Sequence, residues 1–210
     1  MVKILIADDH AVVREGLKQI LSESPDMVVT AEASTGPEVL EKIGKDDFDL
    51  VVLDIAMPGR GGLDILKEIK NKKPRLPVLI LSMYPEEQYA VRVLKAGASG
   101  YMTKESAPHE LVKAIQQISR GKKYVSPSLA EKLALDLEIT TGRPLHESLS
   151  DREYQVMCMI ASGKTLKEIA EQLSLSIKTI STYRSRILEK MNMKSNAELT
   201  HHAIKNRLVD

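Results

Sequence analysis

Tryptophan is absent from the 210 residues, and phenylalanine and cysteine occur once each. With aromatics at 3%, stacking of splayed-out bases is excluded as the main way this chain could hold a nucleic acid. The lone Cys158 closes no internal disulfide. That removes the disulfide-stapled secreted scaffolds and makes a reducing, cytoplasmic setting the expectation. No apolar run approaches the ~18 residues of a membrane span. The short run over residues 1–7 ends at Asp8-Asp9, without the cleavage site of a secretion signal. Glycine is missing where a dinucleotide site would need it: Asp8-Asp9-His10 follows the first apolar run, which excludes a nicotinamide-dependent dehydrogenase.

What is present is ordinary globular composition, 43% hydrophobic and 28% charged. The net charge of +1 hides an asymmetry. Residues 1–122 carry 17 Lys and Arg against 18 Asp and Glu, whereas residues 148–210 carry 10 against 7. Lys178, Arg184, Arg186, Lys190 and Lys194 cluster around Glu189, a basic stretch suited to one polyanion-binding element.

Along residues 1–122 short β-branched runs alternate with helix-period segments. Strands are expected over 3–7, 28–33, 49–54, 77–82 and 99–103, and helices over 11–22, 37–45, 63–72, 86–96 and 108–120. Runs such as Leu50-Val51-Val52-Leu53 and Val78-Leu79-Ile80-Leu81 are apolar throughout, as in parallel strands covered on both faces. Five such units predict an α/β sandwich around a five-stranded parallel sheet. A helix opening at Ser126, with Leu129, Leu133 and Leu137 on one stripe, then fades into a loop, so residues 123–147 read as a linker. Residues 148–210 read as four helices. Ser150 with Glu153, Thr165 with Glu168 and Ser195 with Glu198 have capping-box spacing, and the short gap before Ser176 predicts a helix-turn-helix.

Ligands of an open α/β sheet bind beyond the carboxyl ends of its strands. Asp8-Asp9, Asp54, Ser82 and Lys104 all fall at such ends. Clustered carboxylates call for a hard divalent cation, Mg²⁺ first. Lysine and hydroxyl beside them make a site for a phosphoryl group, with one aspartate as nucleophile. A Mg²⁺-dependent phosphohydrolase needs the same chemistry, but it would place its nucleophile after the first strand and carry a substrate cap, and neither is evident.

Asp8-Asp9, Asp54-Ile-Ala-Met-Pro58, Ser82 and Lys104, with Gly97-Ala-Ser-Gly-Tyr101 before the lysine, resemble the receiver domain of two-component response regulators. The resemblance implies a flavodoxin-like fold with Asp54 as phosphoacceptor. Asp9, Asp54 and the backbone carbonyl of Ala56 would bind Mg²⁺, and Asp8 would act largely through water. Ser82 and Lys104 would hold the phosphoryl oxygens, and the Tyr101 rotamer would couple to Ser82. Ala56 and Tyr84 stand at positions that tune phosphoryl lifetime. Ala56 has no side chain to hold an attacking water, which implies a long-lived phosphoaspartate. A receiver of this kind assists its own phosphorylation and dephosphorylation but is not a turnover enzyme. Its donor would be a histidine kinase.

On the helix over 177–191, Ile180, Ile187, Leu188 and Met191 gather on one side at 100° per residue, with Tyr183 and Arg184 at the borders. Lys178, Thr182, Ser185, Arg186 and Glu189 lie opposite, with Ser181 at the edge. Such a helix fits the major groove, with Ser181, Thr182 and Ser185 at base edges and Arg184, Arg186 and Lys190 on phosphates. Lys178 suits either role, and Thr179 completes the expected DNA-binding set. Leu149-Ser-Asp-Arg-Glu153, residues 163–170, residues 175–180 and Lys190-Met191 resemble the LuxR-type helix-turn-helix domain. Receiver plus this domain is the NarL/FixJ family. It implies a cytoplasmic transcription regulator that dimerises on activation and binds paired half-sites on double-stranded DNA. A constitutive DNA binder with the receiver as dimerisation module is the remaining alternative. Short hydroxyl side chains occupy base-reading positions where relatives often carry lysine, so base preference does not carry over.

Overall fold

The computed structural model describes residues 1–57, 61–126, 129–130, 144–206 and 208–209. It divides into two compact units, Met1–Leu133 and Ala134–Asp210.

In the first unit, β1 (Val2–Ala7), α1 (Ala11–Ser22), β2 (Met27–Ala33), α2 (Gly36–Lys45), β3 (Leu50–Asp54), α3 (Gly62–Lys72), β4 (Val78–Ser82), α4 (Glu86–Lys95), β5 (Gly100–Thr103) and α5 (Ala107–Ser119) follow in strict alternation. The sheet is parallel throughout, in the order β2-β1-β3-β4-β5. This is the expected flavodoxin-like fold. Every residue of β3 and β4 is buried, because helices cover both faces. Ile4, Ile6, Leu50, Val52, Leu79, Leu81 and Met102 form a core with Leu17, Leu21, Leu111, Ile115 and Ile118 of α1 and α5. By strand alternation Leu5, Val51, Leu53, Val78 and Ile80 face the other way, and they are equally buried.

Close approach requires glycine at the start of α3. A Cβ on Gly62, at the start of α3, would lie 2.4 Å from the Asp54 carbonyl oxygen and 2.5 Å from Ile55 Cα. Gly62 N–H in turn donates to Ile55 O at 3.1 Å. Gly62→Ala therefore forces backbone apart beside Asp54. We expect a loss of ~1–3 kcal/mol in thermal unfolding, as for other overpacked sites; a melting temperature equal to wild type would refute the strain.

The second unit is helical: a 3-10 turn (Leu145–Ser148), α6 (Asp151–Ala161), α7 (Leu166–Gln172), α8 (Ile177–Lys190) and α9 (Asn196–Lys205). Its core includes Leu149, Val156, Met157, Ile160, Ile169, Ile180, Ile187, Met191 and Leu199. Cys158 and Met159 are buried among them, as packing residues. Ser150 with Glu153 and Thr165 with Glu168 form complete capping boxes. The third expected box differs. Ser195 Oγ accepts from Glu198 N–H, but the Glu198 carboxylate accepts from Lys194 N–H, one residue earlier than a capping box requires. Glu38 behaves likewise, reaching Ser34 N–H rather than that of Thr35. In both, the extended residue before the helix brings the preceding N–H within reach.

Of the expected linker helix, Leu129 and Ala130 are helical. Its remaining stripe positions, Leu133 and Leu137, and Pro58 of the Asp54 loop lie outside the described residues. Among the described residues no helix is long and apolar enough to cross a membrane.

Candidate functional site

The carboxyl ends of β1, β3, β4 and β5 converge on one acidic site. Asp54 closes β3 and is fully buried, as is Asp8 just beyond β1. Lys104, after β5, reaches across from the far side of β4. Its Nζ lies 2.7 Å from Asp8 Oδ2 and 2.9 Å from Asp54 Oδ2, so one ammonium is shared by two buried carboxylates. Asp54 Oδ1 accepts the Ala56 N–H at 2.9 Å. Asp8 Oδ1 accepts the His10 N–H at 2.8 Å. Asp9 is 28% exposed.

The electrostatics follow from this crowding. Burial pushes the Asp54 carboxyl above its ordinary value; Lys104 and the Ala56 N–H oppose that, and Asp8 adds to it. Burial works to lower the Lys104 pKa, but the carboxylates of Asp54 and Asp8 outweigh it and hold it above the ordinary lysine value. One cation among three carboxylates leaves the site short of positive charge.

Ligand atoms of Asp8, Asp9, His10 and Asp54 lie within 4.8 Å of one another. Asp8 Oδ2 and Asp9 Oδ1 are buried yet accept no hydrogen bond. The nearest cationic groups are Lys104 Nζ, 2.7 Å from Asp8 Oδ2, and His10 Nδ1, 3.0 Å from Asp9 Oδ1. Orphaned hard oxygens of this kind fit an oxygen-coordinated divalent cation. His10 sits on the rim, 65% exposed.

Ser82 closes β4 and is fully buried. Its Oγ accepts the Tyr84 N–H at 3.0 Å. Tyr101, fully buried on β5, donates its phenolic O–H to the Tyr84 carbonyl at 2.7 Å. Burial drives the Tyr101 phenol well above its ordinary range, so it stays a donor. Tyr84 is thereby gripped by Ser82 through its N–H and by Tyr101 through its C=O. Sequence reasoning missed Arg14, whose Nη1 donates to the Asp8 carbonyl at 2.7 Å while Nε pairs with Glu32 at 3.0 Å. Five and six residues after the acid pair, and beside Glu15, Lys18 and Gln19 on the same helix, it carried no distinguishing sequence signal.

In the second unit, Ser176 caps α8 by accepting the Thr179 N–H at 3.0 Å. Ile180, Ile187 and Met191 are buried, Tyr183, Arg184 and Leu188 half-buried. Lys178, Ser181, Thr182, Ser185 and Arg186 are exposed along one face, and Thr179 is half-buried beside them. Thr182 and Ser185 hydroxyls donate to the carbonyls of Lys178 and Ser181, at 3.0 and 3.1 Å. Each thus keeps its oxygen lone pairs outward. Arg184 Nε donates to Asn196 Oδ1 at 2.6 Å.

Lys190 departs from expectation. Its Nζ is 2.6 Å from Oε2 of buried Glu153, which also accepts the Ser150 N–H. The ion pair gives Lys190 a structural role that sequence reading, which saw a phosphate contact, did not foresee. Burial raises the Glu153 pKa, but Lys190 and Ser150 outweigh it and hold the carboxyl below its ordinary value. A depressed carboxylate adds stability above its unfolded value, and that stability is lost as pH falls through the folded one. Because Lys190 is 43% exposed, Lys190→Ala should cost only ~1–2 kcal/mol. The deficit should be present at neutral pH and shrink in acid; a pH-independent deficit in urea unfolding would argue against the pair. Sequence reasoning also missed Ile177, which opens α8 at 52% exposure beside Lys178.

Residues 4–116 match the response regulator receiver domain, and residues 147–203 the luxR family of bacterial regulatory proteins. The chain belongs to the NarL/FixJ family of response regulators. This response regulator is 37% identical over 209 residues to Response regulator UvrY of Escherichia coli (strain K12), covering 99% of this chain and 96% of that protein. It is 37% identical over 215 residues to Oxygen regulatory protein NreC of Staphylococcus carnosus (strain TM300), covering 99% of each. Among solved structures it is similar to RcsB from Salmonella enterica serovar Typhimurium bound to promoter rprA in the presence of phosphomimetic BeF3−. That similarity has a TM-score of 0.66 at 27% identity and covers 96% of this chain and 97% of that one. The response regulator therefore joins a receiver to a LuxR-type DNA-binding domain, and its family is regulatory.

Proposed function

We infer that this response regulator is switched by phosphorylation of Asp54, and that the switch controls binding of α8 to double-stranded DNA. The observation that carries the reading is Lys104 bridging the buried carboxylates of Asp8 and Asp54, beside carboxylate oxygens that accept no hydrogen bond. A cation-deficient acidic site is arranged to receive one hard divalent cation and one phosphoryl group together. Residues 1–122 serve as receiver, 123–147 as linker and 148–210 as DNA-binding domain.

Asp9, Asp54 and the Ala56 carbonyl would hold Mg²⁺, and Asp8 would act on it largely through water. When bound, the ion neutralises phosphoryl oxygens and carboxylates at once. Asp54 Oδ attacks the phosphorus of a phosphohistidine on a partner kinase. The P–O bond forms as the P–N bond breaks, and the electron pair leaves on the imidazole nitrogen, which takes up a proton. Lys104 moves from its two carboxylates to a phosphoryl oxygen, and the Ser82 hydroxyl donates to another. The receiver thus contributes the electrostatics of its own phosphorylation and, later, of hydrolysis. Ala56 offers no side chain to orient the water for that hydrolysis, and Tyr84 is held against β5, so the phosphoaspartate is long-lived.

On the second unit, Ser181, Thr182 and Ser185 face base edges, with Lys178 beside them. Arg184 and Arg186 lie toward the DNA backbone, and Thr179 at its margin. Ile177 adds an apolar contact of the kind that meets thymine methyls. The protein works in the cytoplasm as a dimer on paired half-sites.

The test is phosphoryl uptake by the full chain from acetyl phosphate, with and without Mg²⁺, read by intact mass and followed by DNA affinity. We expect one phosphoryl group per chain only with Mg²⁺, and tighter DNA binding after it. Uptake with unchanged affinity would favour the constitutive binder, and sustained release of phosphate would favour a phosphohydrolase. Arg186→Ala should weaken binding about equally across sequences and reduce the salt slope by about one unit. A variant with unaltered affinity and slope would move the DNA face away from α8.

A further inference from the structure

The chain leaving α5 turns back along the edge of β5. Lys123 Nζ donates to the Ala98 carbonyl. Tyr124 N–H donates to Ser99 O at 2.9 Å, and its phenol donates to Glu110 on α5. Gly100 admits this return, since a Cβ there would lie 2.8 Å from the Tyr124 carbonyl oxygen. Two residues on, Ser126 Oγ donates to the carboxylate of Glu86, the first residue of α4. The same hydroxyl accepts the Leu129 N–H at 3.2 Å, and the Ser126 carbonyl accepts from Ala130 N–H at 3.0 Å. Ser126 therefore caps the helical residues Leu129 and Ala130 and is bonded to α4 through one atom.

The four anchors of this return differ in kind. Ala98 and Ser99 lie just before β5, and Glu110 lies on α5. Glu86 alone among them stands on the segment that leaves Ser82. It follows Tyr84 by two residues, and Tyr84 is held by the Ser82 hydroxyl and the Tyr101 phenol. The Tyr84 and Tyr89 rings, 4.9 Å apart, pack this segment onto α4. A short path thus runs from Ser82 through Tyr84 and Glu86 to Ser126 and the Leu129 amide.

We propose that Glu86 and Ser126 are positioning residues that tie the Ser82 switch to the start of the linker helix. The proposal rests on Asp54 being the phosphoacceptor. A phosphoryl group brings close to two negative charges and strong acceptor oxygens. Once the Ser82 hydroxyl turns to it, the Tyr84 N–H loses its present acceptor geometry. The segment from Tyr84 to Glu86 then shifts and carries the Glu86 carboxylate off Ser126. The anchors before β5 and on α5 stay, so the change concentrates at the helix cap. The linker is altered at its root, next to its fixed end, rather than along its length.

The experiment is amide hydrogen exchange on the full chain with Mg²⁺, with and without acetyl phosphate, alongside intact mass. In wild type, phosphorylation should speed exchange of the peptide spanning residues 126–130 about tenfold, as for loss of a charge-assisted hydrogen bond. Glu86→Ala removes the contact but leaves the Ser126 cap. It should take up phosphoryl as wild type does, exchange fast at 126–130 from the outset, and show no further response. Glu86→Gln should behave likewise in part, and Ser126→Thr, which keeps the hydroxyl, should respond as wild type. A wild-type response retained in Glu86→Ala, or no response in fully phosphorylated wild type, overturns the coupling and leaves the Asp54 reading standing. Absence of phosphoryl uptake by wild type overturns both, and the mass spectrum tells the cases apart.

Discussion

Asp54→Asn should take up no phosphoryl group from acetyl phosphate and lose the whole phosphorylation-dependent gain in DNA affinity. Asparagine keeps the shape and can still accept the Ala56 N–H that Asp54 Oδ1 accepts, but its amide is no nucleophile toward phosphorus. Coupling between sites in switches of this type is on the order of 1–3 kcal/mol, about 5–150-fold in affinity, and the variant should show none of it. The fold should survive. Burial holds the Asp54 carboxyl above its ordinary value of 3.8, so its ionised form is disfavoured in the folded, metal-free protein. A raised carboxyl destabilises as pH rises from the unfolded pKa to the folded one, and the neutral amide removes that loss. Stability at pH 7 should stay within ~1 kcal/mol of wild type. Base-labile phosphoryl label on Asp54→Asn, or a preserved affinity gain, would place the acceptor elsewhere.

Lys104→Ala carries the second large effect, on stability as well as on signalling. The ammonium stands between Asp8 and Asp54, 2.7 and 2.9 Å from their oxygens, and both carboxylates are buried. Removing it leaves two buried anions facing each other, a defect of ~3–5 kcal/mol for a broken buried pair. The deficit should shrink as pH falls and Asp54 takes a proton, and added Mg²⁺ should recover part of it by binding only the folded state. The lysine's own contribution has the opposite window. Because its folded pKa is raised, that contribution is complete below the ordinary 10.5 and is lost as pH climbs through the raised value. Wild type should therefore weaken in strong alkali where the variant does not. With Mg²⁺ the variant should still accept some phosphoryl from acetyl phosphate, but without a strengthened DNA interaction, since nothing pulls the phosphoryl toward β5. An unchanged affinity gain would assign the coupling to another group. A thermal midpoint equal to wild type in metal-free buffer would mean the carboxylates have another cation.

Much of this architecture is written in local chemistry. The apolar run Leu50-Val51-Val52-Leu53 suits a strand covered on both faces, and it lies in β3, every residue buried. Ser150 and Thr165 announce α6 and α7 because a capping box needs only four consecutive residues. Even the acidic site was legible in outline, since parallel βα units bring all strand carboxyl ends to one edge. On α8 the 100° periodicity alone separated buried Ile180 and Ile187 from exposed Ser181 and Ser185.

Other features depended on which strands became neighbours. The order β2-β1-β3-β4-β5 lets Lys104 span from β5 to both Asp54 and Asp8, and no spacing in the chain encodes that bridge. Lys190 looked like a phosphate contact until α8 packed on α6 and brought it to Glu153, 37 residues away. Ser126 meets Glu86 across 40 residues only because the chain leaving α5 folds back beside Gly100. Residue type, periodicity and capping act over a few residues, so the sequence by itself determined the elements, their buried faces and the strand ends that carry polar groups. Ion pairs and hydrogen bonds between distant elements act over about 3 Å, and only the packed sheet and helices decided which charged and hydroxyl groups came that close.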